Sequence, residues 1–105
     1  MANEKLTDDQ IADHLKTRPE WSETGEAIQR TYAFKNFTES MRFVGKVADA
    51  AEAADHHPDI LIRYNKVTLT LSTHDSGGIT RLDFDLAAKA DGFVADAAPA
   101  APKKK

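Results

Sequence analysis

The sequence contains no cysteine. Disulfides, thiolate-bound zinc, iron–sulfur clusters and a cysteine nucleophile are therefore excluded. No apolar run approaches the ~18 residues that suggest a membrane-spanning helix. The opening residues Met1-Ala2-Asn3-Glu4-Lys5-Leu6 hold no hydrophobic stretch of the kind a secretory signal needs. These absences lead to the expectation of a cytoplasmic protein with no membrane association. Also missing are a Gly-x-Ser-x-Gly nucleophile elbow, a P-loop and a dinucleotide-binding glycine pattern. Excess positive charge is lacking too. The net charge is −3, and three of the 14 basic residues are Lys103-Lys104-Lys105; the rest of the chain sets 11 basic against 17 acidic residues, a net of −6. An acidic body argues against direct nucleic-acid binding, which depends on neutralising phosphates.

What is present is an ordinary globular composition, 41% hydrophobic and 30% charged over 105 residues. That length buries about 65% of the chain's surface, enough for one small core. We expect a single domain over residues 1–96. The segment from residue 97 to 105, rich in Ala, Pro and Lys, reads as a flexible tail because its prolines prevent a continuing helix.

Thr7-Asp8-Asp9-Gln10 has capping-box spacing and predicts a first helix that Pro19 stops, with Leu6, Ile11 and Leu15 on one stripe. Trp21 follows in a short extended piece and reads as a core or interface anchor. A turn at Thr24-Gly25-Glu26 leads to a strand over residues 27–35, where Ile28, Tyr32 and Phe34 share a face and Arg30 is an exception in the same phase. Asn36 and Glu39 again have capping-box spacing, before a longer helix over residues 37–55. Its apolar positions Phe37, Met41, Val44, Val47/Ala48, Ala51 and Ala54 suit either the core or a subunit contact. Strands at residues 60–64 and 66–73 meet at Asn65, a residue that tolerates left-handed geometry. In the second strand Val67, Leu69 and Leu71 alternate with Thr68, Thr70 and Ser72. Thr80 then caps a third helix with a stripe of Leu82, Leu86, Ala90, Phe93 and Ala97, locally weakened at Gly92. The order α-β-β-α-β-β-α predicts an α+β fold, an antiparallel sheet with helices on one face.

Chemistry concentrates in the histidines. His14 reads as a surface or half-buried helix residue. His56 and His57 stand before Pro58 at a helix C-terminus, where a cation is favoured, and the proline makes the two rings project differently. His74 continues the polar phase of its strand, so it should face water or a cleft. Asp83 has the spacing of a cap for the helix begun by Thr80, which does not prevent its carboxylate from lying beside a site. Three histidines and a carboxylate could hold zinc, but no His-x-x-x-His or His-Glu-x-x-His spacing preorganises them. A metal-free cluster suits proton transfer, since imidazole titrates near ~6.5.

These residues resemble a known family, the pterin-4a-carbinolamine dehydratases. The pattern is Glu52-x3-His56-His57-Pro58-x5-Tyr64-x9-His74-x8-Asp83. Trp21, the Phe34-Lys35-Asn36-Phe37 junction and Leu86-Ala87 are also similar, and the resemblance spans about residues 6–95. It implies a four-stranded antiparallel sheet with three helices, forming dimers through the sheet and often tetramers through the second helix. It implies dehydration of 4a-hydroxytetrahydrobiopterin, the product of aromatic amino acid hydroxylases, to quinonoid dihydropterin, in tetrahydrobiopterin regeneration. No metal or organic cofactor is implied, because the pterin is the substrate. His56 and His74 would be the acid–base pair, His57 would bind and orient the pterin beside Pro58, and Asp83 would orient a histidine or bind the ring. The alternative is a non-catalytic member of the fold, an assembly chaperone or a transcriptional dimerisation cofactor; the complete set of His56, His57, Pro58, His74 and Asp83 favours the enzyme.

Overall fold

Thr7 opens the first helix, α1 (Asp8–Lys16), in a closed capping box: its hydroxyl accepts from the Gln10 N–H and the Gln10 side chain accepts from the Thr7 N–H. Our computed structural model describes residues 4–97. After α1 come β1 (Ser22–Thr24), β2 (Ala27–Ala33), α2 (Phe37–Ala54), β3 (Asp59–Arg63), β4 (Lys66–Leu71), a 3-10 turn (His74–Ser76) and α3 (Arg81–Ala97). The four strands form one antiparallel sheet in the order β1-β2-β4-β3. The expected α+β fold is the observed one. Residues 98–105 of the expected tail lie outside the described residues.

Register decides which side of the sheet is core. Ile28 pairs with Leu71, Arg30 with Leu69, and Tyr32 with Val67; on the other side of β4, Ile60 pairs with Leu69 and Ile62 with Val67. Directly opposed residues share a face, so these side chains make one layer, which the helices cover. Ile28, Val67, Leu69 and Leu71 are wholly buried there, with Phe43, Val47 and Ala51 of α2 and Phe84, Leu86, Ala87 and Ala90 of α3. Trp21 is part of this core. The opposite face is mostly polar, with Leu61 exposed on it opposite Thr68: Thr31 and Thr68 share a hydrogen bond at 2.7 Å, and Gln29 donates to Thr70 at 3.0 Å.

Four details differ from the sequence reading. At the β3–β4 hairpin the left-handed residue is Tyr64 (φ 54), not Asn65. Asn65 is committed to β2 instead: its carbonyl accepts from the Phe34 N–H at 2.7 Å and its side chain donates to the Phe34 carbonyl at 3.0 Å. On α2 the buried positions are Ser40, Phe43, Val47 and Ala51, leaving Phe37 and Met41 exposed on an outer stripe. The Asn36 cap is formed, but Glu39 turns to Arg42 rather than closing the box. On α3 the buried positions include Asp83, Phe84 and Ala87 beside the expected Leu86 and Ala90.

Arg30, the exception on an apolar face, has a partner from α3. Its guanidinium contacts Asp91 at 2.7 Å and lies over the Tyr32 ring, 4.3 Å from the centroid. The same carboxylate accepts from Tyr32 at 2.6 Å, from the Trp21 indole at 3.1 Å and from Arg18 at 3.1 Å. Asp91 therefore ties α3 to β2 and to the segment around Trp21.

Candidate active site

The end of α2 determines where His56 goes. Asp55 takes a left-handed conformation (φ 52), the His56 N–H reaches back to the Ala51 carbonyl at 3.0 Å, and the Asp55 N–H to that of Glu52 at 3.2 Å. This is the Schellman arrangement, usually built on glycine; a short polar side chain such as Asp also tolerates it. The reversal turns His56 into the protein, where it is 8% exposed. Pro58 then forbids further helix. His57, one residue on, projects outward and meets Glu52 at 2.6 Å, with both side chains more than half exposed. The different projection expected of the two rings is thus realised.

Asp83 receives His56. Its Oδ1 lies 2.6 Å from His56 Nε2, and it is fully buried. Its Oδ2 accepts from the Thr80 N–H at 2.9 Å, the capping contact expected from the sequence, and from the Thr73 hydroxyl, also at 2.9 Å. Thr73 and Thr80 hydroxyls meet at 2.8 Å, and the Thr80 hydroxyl accepts from the Leu82 N–H. Capping and contact with a histidine are therefore two functions of one carboxylate, one for each oxygen.

Thr73 links this buried network to His74. It pairs with Gly78 in a two-residue bridge, Thr73 N–H to Gly78 carbonyl at 2.9 Å and the reverse at 3.2 Å. His74 begins the 3-10 turn enclosed by that bridge and is exposed. It lies just beyond β4, on the solvent side as its phase predicts. The sequence reading missed Thr73 and Thr80 as members of the network. Thr73 carried a signal: it continues the buried Val67, Leu69, Leu71 phase, where a hydroxyl must find a partner.

His14 is half-buried and stacks on Phe84, with ring centroids 4.5 Å apart. Among the described residues no three His, Asp or Glu side chains come together as a metal-binding group. No helix there is long and apolar enough to cross a membrane.

The sequence and the fold are similar to those of known proteins. The sequence model of the family described as pterin 4 alpha carbinolamine dehydratase matches residues 4–93. A protein of Picosynechococcus sp., provisionally named pterin-4-alpha-carbinolamine dehydratase, is 56% identical over 87 residues, 83% of this chain and 95% of that one. A Thermomicrobium roseum protein with the same provisional name is 55% identical over 85 residues, covering 81% and 91%. The crystal structure of a Brucella melitensis protein described as a transcriptional coactivator/pterin dehydratase superposes with a TM-score of 0.81 at 36% identity, covering 84% of this chain and 96% of that one. A pterin dehydratase-like protein described as a RuBisCO assembly factor in the alpha-carboxysome shares the fold, with a TM-score of 0.60 at 24% identity over 70% and 87% of the two chains. On the family match and these identities, the chain belongs to the pterin 4 alpha carbinolamine dehydratase family.

Proposed function

We propose that this protein dehydrates a 4a-hydroxytetrahydropterin to the quinonoid dihydropterin and water, acting in the cytoplasm downstream of an aromatic amino acid hydroxylase. The substrate has a hydroxyl on C4a and a hydrogen on N5. One group gives a proton to the departing hydroxyl as the C4a–O bond breaks, another takes the N5 proton, and the N5 electron pair closes the C4a=N5 double bond. The observation that carries the reading is the His56–Asp83 contact at 2.6 Å. With Asp83 as acceptor, the His56 Nε2 holds the proton and Nδ1 is left to exchange one with substrate. His74 on the adjoining turn is the second acid–base group, and His57, flanked by Pro58, orients the pterin. The pterin is the substrate, and the reaction as written uses no metal or organic cofactor. The test is decay of the carbinolamine absorbance produced by a phenylalanine hydroxylase, with the uncatalysed rate subtracted. No acceleration by purified protein would end this reading.

A non-catalytic assembly or coactivator role is the second reading, supported by the dual description of the Brucella melitensis structure. It predicts no such acceleration. In either case we propose a symmetric dimer or tetramer. The exposed Phe37 (49%) and Met41 (39%) on the outer stripe of α2 motivate it. A stable monomer by light scattering at micromolar concentration would refute it.

A further inference from the structure

The reaction proposed above gives no task to the segment before α1, yet that segment is fastened to the turn bearing His74. The Leu6 N–H donates to the Ile79 carbonyl at 2.8 Å. Beside it the aliphatic stem of Lys5 lies across Gly78: a Cβ on Gly78 would stand 2.9 Å from Lys5 Cε, 3.4 Å from Cδ and 3.5 Å from Cγ. The Cε end of the stem occupies the space that a side chain at position 78 would need, while Cδ and Cγ would lie in ordinary contact with it. Gly77 has the left-handed φ of the turn (79°), whereas Gly78 does not, so position 78 uses the missing side chain rather than backbone freedom. Gly78 is buried and Lys5 exposed. The lysine stem therefore covers Gly78, which is paired to Thr73 at both its N–H and its carbonyl. Within that bridge the Ser76 N–H donates to the Thr73 carbonyl and the Gly77 N–H to the His74 carbonyl, both at 3.0 Å. The whole turn is short and its backbone is self-bonded, so anything that presses on Gly78 acts on the direction in which His74 is presented.

We infer that Lys5 is a positioning residue of the candidate site, its stem clamping the Gly78 side of the turn so that His74 is held in one orientation. The inference deepens the dehydratase reading and rests on it for the role of His74. The clamp works through methylene packing while the ammonium stays in water, as long basic side chains commonly do. Methionine in place of Lys5 keeps most of the stem and removes the charge; alanine removes both. Gly78→Ala keeps Lys5 and displaces the Cε end of its stem.

The experiment compares Lys5→Ala, Lys5→Met and Gly78→Ala with wild type by amide hydrogen exchange at Gly77 and Gly78, by the ring resonances of His74 and by steady-state kinetics. Lys5→Ala should speed exchange at both amides by about fivefold, the scale set by uncovering one methylene group. It should shift the His74 resonances and lower kcat several-fold with KM nearly unchanged. Lys5→Met should match wild type in all three. Gly78→Ala should fall between wild type and Lys5→Ala, because it displaces only the Cε end and leaves the rest of the stem in contact. Unchanged exchange in Lys5→Ala overturns the clamp. Equal impairment in Lys5→Met overturns it in favour of charge, and faster exchange with unaltered kcat overturns the link to His74. Wild-type protein without turnover would defeat the dehydratase reading by itself, while exchange and the His74 resonances would still decide the clamp.

Discussion

His56 Nε2 and Asp83 Oδ1 stand 2.6 Å apart although 27 residues separate them in the chain. The contact joins the end of α2 to the first turn of α3. Each partner is aimed by its own helix terminus, His56 by the left-handed turn at Asp55 and Asp83 by its bond to the Thr80 N–H. The His56 backbone is fixed by the helix end, and Asp83 cannot leave without giving up its bonds to Thr73 and the Thr80 N–H, so the pair is assembled before any substrate arrives.

Asp83→Asn tests that pair directly. The amide oxygen can serve Thr73 and Thr80, which turns the amide NH2 towards His56 and forces its proton from Nε2 to Nδ1. Losing a charge-assisted bond should cost about 1–2 kcal/mol in stability. Activity should fall by about 10²-fold or more, because the nitrogen offered to substrate is then in the wrong state. Nitrogen NMR of His56 reads the tautomer, and thermal melting reads the stability cost.

The three candidate histidines should separate by kind of defect. His74→Ala should lose kcat/KM within the ~10²–10⁴-fold range of a positioned acid–base group and leave stability within about 0.5 kcal/mol, since the side chain is exposed. His56→Ala should lose a similar factor and also about 1–3 kcal/mol, because a buried carboxylate is deprived of a partner. A histidine acting only on a helix dipole would cost less, about 0.3–1 kcal/mol. His57→Ala should raise KM more than it lowers kcat. Near wild-type kcat/KM in His74→Ala would remove that residue from the mechanism.

Asp91→Asn should be among the more destabilising single substitutions. The carboxylate is 14% exposed and takes bonds from Arg18, Trp21, Arg30 and Tyr32, with the two arginines 33% and 21% exposed. Allowing for that partial solvent screening, we expect a loss of about 2–3 kcal/mol in chemical denaturation. A loss below about 0.5 kcal/mol would show that the cluster is solvated rather than structural.

Tyr32 gives the pH dependence. Burial, together with its hydrogen bond to Asp91, holds the phenol far above its ordinary value of 10.0. The folded-state value is the raised one, so this contribution to stability is complete below pH 10 and declines as pH rises beyond it. In a Tyr64→Phe variant Tyr32 is the sole tyrosine of a chain that has two. Tyrosinate absorbance in that variant should then appear together with alkaline unfolding, not before it. Reversible ionisation in the folded protein would contradict the burial argument.

Much of the fold was legible locally. Thr7 with Gln10, Asn36 with Glu39 and Thr80 with Asp83 marked three helix starts, because a cap is a contact between residues three apart. The alternation through Val67, Leu69 and Leu71 marked the buried face of β4, because side chains of a strand repeat every two residues. What was not legible depended on distant partners. Tyr64 takes the left-handed position since Asn65 is held by Phe34, and Arg30 lies on an apolar face since Asp91 meets it from α3.

The candidate site divides in the same way. Residue types and spacing singled out His56, His57, Pro58, His74 and Asp83 as candidates, and local rules placed most of them: a helix end for the first two and a cap for Asp83, whereas His74, expected to continue a strand, opens a 3-10 turn. The tertiary structure alone decided that Asp83 turns Oδ1 to His56 rather than to His57 or His74. It also decided that Thr73 joins that carboxylate to the His74 turn and that Lys5 covers Gly78. The physical reason is that helix caps and strand phases are contacts over a few residues, whereas these pairings exist only once α2, β4 and α3 have packed around a common core.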